Sequence, residues 1–89
     1  MPLWYSKVQR YIELDWSFTS SGGAVGTNIY RGTVSGGPYT ILVSNVSGTT
    51  YNDFQINPGQ TYYYVFTEID GLGGESAQSS EISAVVQSP

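Results

Sequence analysis

The sequence predicts a small all-β sandwich on three observations. Apolar and polar residues alternate with a period of two, most clearly at Ile12, Leu14 and Trp16 against Glu13, Asp15 and Ser17, the pattern of a strand with one buried face. Clusters of Ser, Gly, Asn and Pro separate such runs at about the 8–12-residue spacing of sandwiches and barrels. No segment carries an apolar stripe at helical spacing.

Residues 12–16 form the first clear strand. Residues 25–32 read as the next and 39–43 as the one after, separated by a segment whose Gly36-Gly37-Pro38 supplies a turn. A short strand covers residues 49–52. Residues 61–70 are the strongest β stretch, since eight of the ten are Thr, Tyr, Val, Phe or Ile. A last strand covers residues 81–87. The breaks at Gly22-Gly23, Pro58-Gly59 and Gly71-Leu72-Gly73-Gly74 are too short to be linkers, so residues 1–89 read as a single domain.

A chain of 89 residues lies near the lower limit for one core, and without Cys it has no disulfide or thiolate-bound metal to brace it. Aromatic residues, 15% of the chain, must therefore supply much of the buried surface. Three cations against seven carboxylates leave a net charge of −4. That balance excludes a phosphate-neutralising stripe and with it a nucleic-acid partner, and it favours a basic surface on any protein partner. No run reaches the roughly 20 apolar residues of a membrane helix, and Met1-Pro2-Leu3-Trp4 lacks the pattern of a secretory leader, so neither membrane insertion nor a leader is expected.

The residue inventory also limits chemistry. With no His and no Cys, His-based triads, Cys nucleophiles and the usual zinc sites are ruled out. Glu13 and Asp15 share a strand face with no apolar surroundings to raise either pKa, which general acid catalysis would need. Asp70, Glu75 and Glu81 lie near one loop but have no calcium-loop spacing. The expectation is a domain that works by contact, with no catalytic residues, no metal and no cofactor.

Three motifs together resemble a fibronectin type III domain of the kind common in bacterial extracellular proteins. Ile12-Glu13-Leu14-Asp15-Trp16 is similar to strand B with its core Trp. Ile29-Tyr30-Arg31-Gly32 followed by Ser35-Gly36-Gly37-Pro38-Tyr39 resembles the strand C and C′ region. Ile56-Asn57-Pro58-Gly59-Gln60-Thr61-Tyr62 resembles the tyrosine corner between strands E and F. The resemblance implies a seven-stranded, immunoglobulin-like Greek-key sandwich with sheets A-B-E and C′-C-F-G, and an extracellular setting. The sequence departs from the family in three places. The N-terminal segment has no polar turn between strands A and B, Thr27 stands where this subgroup usually has Tyr, and Glu68 stands where a small residue is usual. On the parity of Tyr62, Tyr64 and Phe66, Glu68 is expected to point inward, where it must reach solvent or a cation.

Trp16, Tyr51, Tyr62, Tyr64 and Phe66 have the parity or motif position of core residues. If the fold follows the family, Trp4, Tyr5, Phe18, Val46 and Leu72 gather at one pole and are the first candidate partner-binding surface, because aromatic and apolar residues dominate contact sites. Tyr30 and Tyr63, on the outer face of the C-F-G sheet, are the second. The main functional expectation is a protein-binding module, and the unusual N-terminal segment suggests one engineered on this scaffold. The alternative is a passive spacer, or a carbohydrate-contacting module, from a larger secreted bacterial protein. An unpaired strand A edge leaves the state open between monomer and strand-edge dimer.

Overall fold

In the computed structural model the alternation at residues 12–16 does what the sequence requires. Ile12, Leu14 and Trp16 are buried, while Glu13 and Asp15 are half-buried on the opposite face. The structure describes residues 3–8, 11–17 and 24–86, with the backbone alone for 3–8. Seven strands follow in order: β1 Leu3–Val8, β2 Ile12–Trp16, β3 Ala24–Gly32, β4 Thr40–Val46, β5 Thr50–Asp53, β6 Thr61–Asp70 and β7 Ile82–Val85. All described regular structure is β. Two antiparallel sheets result, ordered β1-β2-β5 and β4-β3-β6-β7, the strand orders expected for A-B-E and C′-C-F-G.

The inner faces meet in a core of Ile12, Leu14, Trp16, Ile29, Tyr62, Tyr64, Phe66, Ala84 and Val86. Trp16 and Phe66 touch across the sheets with centroids 6.1 Å apart and a tilt of 38°. Each large aliphatic side chain or Phe in this set contributes roughly 1.5–3 kcal/mol when fully removed from water, so a small set of residues carries much of the driving force. Tyr62 turns the corner into β6: its ring is buried and its hydroxyl accepts the Asn57 N–H at 2.8 Å. Tyr51 is half-buried and packs at the edge of the core.

Element ends differ from expectation for local reasons. β4 begins at Thr40 and runs to Val46, beyond residues 39–43, because bulges opposite β3 re-aim it. At one of them Asn45 adopts φ 56° and fills the space over Gly26, where an added Cβ would lie 2.1 Å from Asn45 Oδ1. A side chain at Gly26 would have to push the Asn45 amide aside. β7 spans Ile82–Val85, beginning one residue later than expected, and Val86 after it still exchanges backbone bonds with Gly59 and Gln60; the chain before β7 approaches β6 through serine hydroxyls. Ser76 and Ser79 donate their N–H groups to the Glu68 and Phe66 carbonyls, and their Oγ atoms accept the N–H groups of those same two residues.

Thr27 and Glu68, two of the departures from the family pattern, are direct partners across β3 and β6. Both are buried, Thr27 fully and Glu68 at 9% exposure. A shorter side chain stands across from a longer one, so volume is traded within the pair and the inward direction of Glu68 follows. The uninterrupted N-terminal segment forms β1, paired with β2 and irregular between Tyr5 and Val8.

Candidate functional site

The first candidate surface draws on β1, β4 and the turn after β6. The backbone register sets Trp4 opposite Asp15 and Tyr5 opposite Leu14; their side chains, and Phe18 altogether, lie outside the described residues. Val46 is half-buried against the core, so it offers little to a partner. Leu72 is 98% exposed at the tip of a turn. Asp70 builds that turn by accepting the N–H groups of Leu72 and Gly74 at 2.9 and 2.8 Å, and Gly73 takes φ 87°.

Tyr30, of the second surface, is engaged. Its hydroxyl donates to Glu75 Oε2, which also accepts Thr67 Oγ1 at 2.5 Å and Asn28 Nδ2 at 3.3 Å. The bonds from Thr67 and Tyr30 hold the Glu75 carboxyl below its ordinary range, and the same carboxylate pushes the Tyr30 hydroxyl upward. Tyr63 is half-buried between Gly32 and Ser83. A matching tether forms at Glu81, which accepts the Gly36 N–H and the hydroxyls of Tyr39 and Ser35. These bonds lower the Glu81 pKa, the Gly36 N–H most of all.

Two constellations were missed by sequence reasoning. In the first, Asp53 is 1% exposed and accepts Arg31 Nη1 at 2.8 Å, the Tyr64 hydroxyl at 2.7 Å and the Gln55 N–H at 3.0 Å. Arg31 also donates to the Gln55 carbonyl and lies 4.9 Å over the Tyr62 ring. Burial opposes the charge of Arg31 most strongly of any single cause, but the bond and charge of Asp53 with the neighbouring Tyr64 and Tyr62 together outweigh it and the pKa rises. Burial first, and the Asp53 bond second, keep the Tyr64 hydroxyl protonated. This group ties the two sheets together, since Asp53 belongs to β5 and its partners Arg31 and Tyr64 to β3 and β6. An Asp at a strand end reads in sequence as a turn residue, which hid it.

The second lies on the outer face of the three-stranded sheet. Tyr11 and Phe54, one step beyond the Ile12–Asp53 pair, stack with centroids 5.0 Å apart at a tilt of 37°. Phe54 is 65% exposed. Along the same face follow Glu13 opposite an exposed Asn52, then Asp15 opposite Thr50, whose hydroxyl donates to Asp15 at 3.0 Å. The parity of Tyr11 with Glu13 and Asp15 was visible in the sequence; its pairing with Phe54 needed the register. Among the described residues no three His, Cys, Asp or Glu side chains are grouped to hold a metal ion.

Fold and site thus define an immunoglobulin-like sandwich whose clustered carboxylates are engaged in structural hydrogen bonds. No family profile matches the chain. A Fn3-like protein from Clostridium thermocellum is 35% identical, with a TM-score of 0.75 over 90% of this chain and 78% of that one. This chain belongs to the fibronectin type III family, and its relatives include bacterial proteins. A segment of an amylopullulanase from Thermoanaerobacterium saccharolyticum is 43% identical over 72 residues, which is 81% of this chain and 6% of that enzyme. A β-1,2-glucanase from Parabacteroides distasonis contains a similar fold, with a TM-score of 0.79 at 26% identity, covering 96% of this chain and 12% of that one. The chain spans about a twentieth of the length of the curated relatives it matches.

Proposed function

We propose that this domain is a non-catalytic accessory module of a longer polysaccharide-degrading enzyme, where it spaces neighbouring parts and contacts carbohydrate. The similarity to the amylopullulanase segment carries this reading, and it supports a bacterial accessory module better than an engineered binder. Topology adds to it. β1 starts at the pole where β2 ends, and β7 ends at the pole where β6 begins, so a continuing chain enters at one end and leaves at the other. A polymeric substrate too large to enter a cell argues for an extracellular setting.

The purified domain, incubated with pullulan and soluble starch, is expected to release no reducing ends. Release that disappears on substitution of a carboxylate overturns the reading. A protein contact at the Leu72 pole is a second reading, favoured by the near-complete exposure of that side chain. It requires a pull-down partner whose capture is lost with Leu72→Ser while the melting temperature holds.

A further inference from the structure

From the outer face of the three-stranded sheet we infer that Tyr11 and Phe54 form a stacking subsite for a neutral polysaccharide, extended along the strands by Asn52, Glu13, Asp15 and Thr50. The inference rests on the accessory-module reading and names the place and ligand class of the carbohydrate contact. Phe54 is the most exposed aromatic ring among the described side chains, and it is braced by Tyr11 at 5.0 Å. Aromatic rings held at fixed orientation in water present a flat apolar face with little side-chain freedom left to lose. The C–H face of a pyranose ring matches that surface.

Beyond the rings the same face turns polar within one residue pair. Asn52 offers both donors and acceptors to sugar hydroxyls, and Asp15, whose Oδ1 takes the Thr50 hydroxyl, adds acceptor capacity at Oδ2. From Tyr11 to Asp15 the stripe runs roughly 13 Å at the usual rise per strand residue, long enough for a short run of sugar rings. A mixed strip of this kind suits a polyhydroxylated ligand better than a protein anchor, which needs a contiguous, fully desolvated apolar centre.

Charge decides the class of sugar. Asp15 on the face, within a chain of net charge −4, disfavours polyuronates and leaves neutral glucans as the matching polymer. The face belongs to short strands, β5 having four residues, so backbone pairing offers a second copy little hold.

Affinity electrophoresis of the intact domain tests the subsite, with gels containing pullulan, amylose or polygalacturonate. Retardation is expected on pullulan or amylose and not on polygalacturonate. Phe54→Ala and Tyr11→Ala should each weaken it at least tenfold and Phe54→Trp should preserve it, with melting temperature monitored throughout. If Tyr11→Ala does not fold, Phe54→Ala and Asn52→Ala carry the comparison. The subsite is overturned by no retardation on either glucan, by equal retardation on polygalacturonate, by retardation that survives Phe54→Ala, or by self-association through this face in light scattering. These outcomes leave the non-catalytic module reading intact, since that part fails on reducing-end release; the absence of retardation on either glucan would also remove carbohydrate contact and leave the spacer role.

Discussion

Asp53 is an acidic side chain at 1% exposure, satisfied by three donors in good geometry. Such a group is costly to bury and more costly to orphan, because removing it leaves a part-buried guanidinium and a buried phenol without their acceptor. Asp53→Ala is expected to destabilise the domain by about 3 kcal/mol, the low end for breaking a buried pair, since Arg31 keeps some access to water. In a domain of this size that corresponds to a melting temperature roughly 12–24 °C lower. Asp53→Asn, which retains an acceptor of the same shape, should recover part of the loss. A scanning calorimetry shift below about 4 °C for Asp53→Ala would show that the ionic cluster adds nothing over water. None of this was legible in the sequence: Arg31 and Asp53 are 22 positions apart, and their meeting depends on how two sheets stack. The core rings were legible, because Tyr62, Tyr64 and Phe66 alternate along one strand and alternation fixes a face.

At the scale of elements, residues 75–81 hold to the sheet by two carboxylates and two serines. Glu75 gathers Tyr30, Thr67 and Asn28, and Glu81 gathers Tyr39, Ser35 and the Gly36 N–H. Both carboxyls have folded pKa values below the ordinary 4.5. A depressed folded value means stability that is complete above 4.5 and is lost as pH falls through the folded values, because protonation removes the acceptor. Urea midpoints should therefore be flat near neutrality and fall as pH drops below about 4.5. The double variant Glu75→Gln, Glu81→Gln should flatten that fall. An unchanged acid slope in the variant would assign the loss to other carboxylates. Sequence alone did not show how residues 75–81 hold to β6, since hydropathy cannot show serine hydroxyls taking the N–H groups of Phe66 and Glu68. The same limit hid the Tyr11–Phe54 pair, whose members lie 43 positions apart and meet only through the β2–β5 register.

At the scale of the whole molecule, the choice between monomer and strand-edge dimer turns on what the four sheet edges offer. An edge recruits another chain when it presents a long, flat row of free N–H and C=O groups. β5 and β7 have four residues each. β4 is longer, but its register slips twice against β3 and Asn45 at φ 56° breaks its extended path. β1 has six residues and loses regular pairing between Tyr5 and Val8. Each edge is thus either short or interrupted, and the net charge of −4 adds repulsion between copies. The domain is expected to be a monomer, with a mass near 9.7 kDa by light scattering during gel filtration, at low and at physiological salt alike. A dimer that strengthens as salt rises would mean that charge alone keeps the edges apart. A dimer at every salt concentration would mean that one of these edges pairs despite its irregularity; a proline at a β4 position whose N–H faces away from β3 would then identify β4 if it restored the monomer, because it removes an outward pairing donor and leaves the β3–β4 bonds in place.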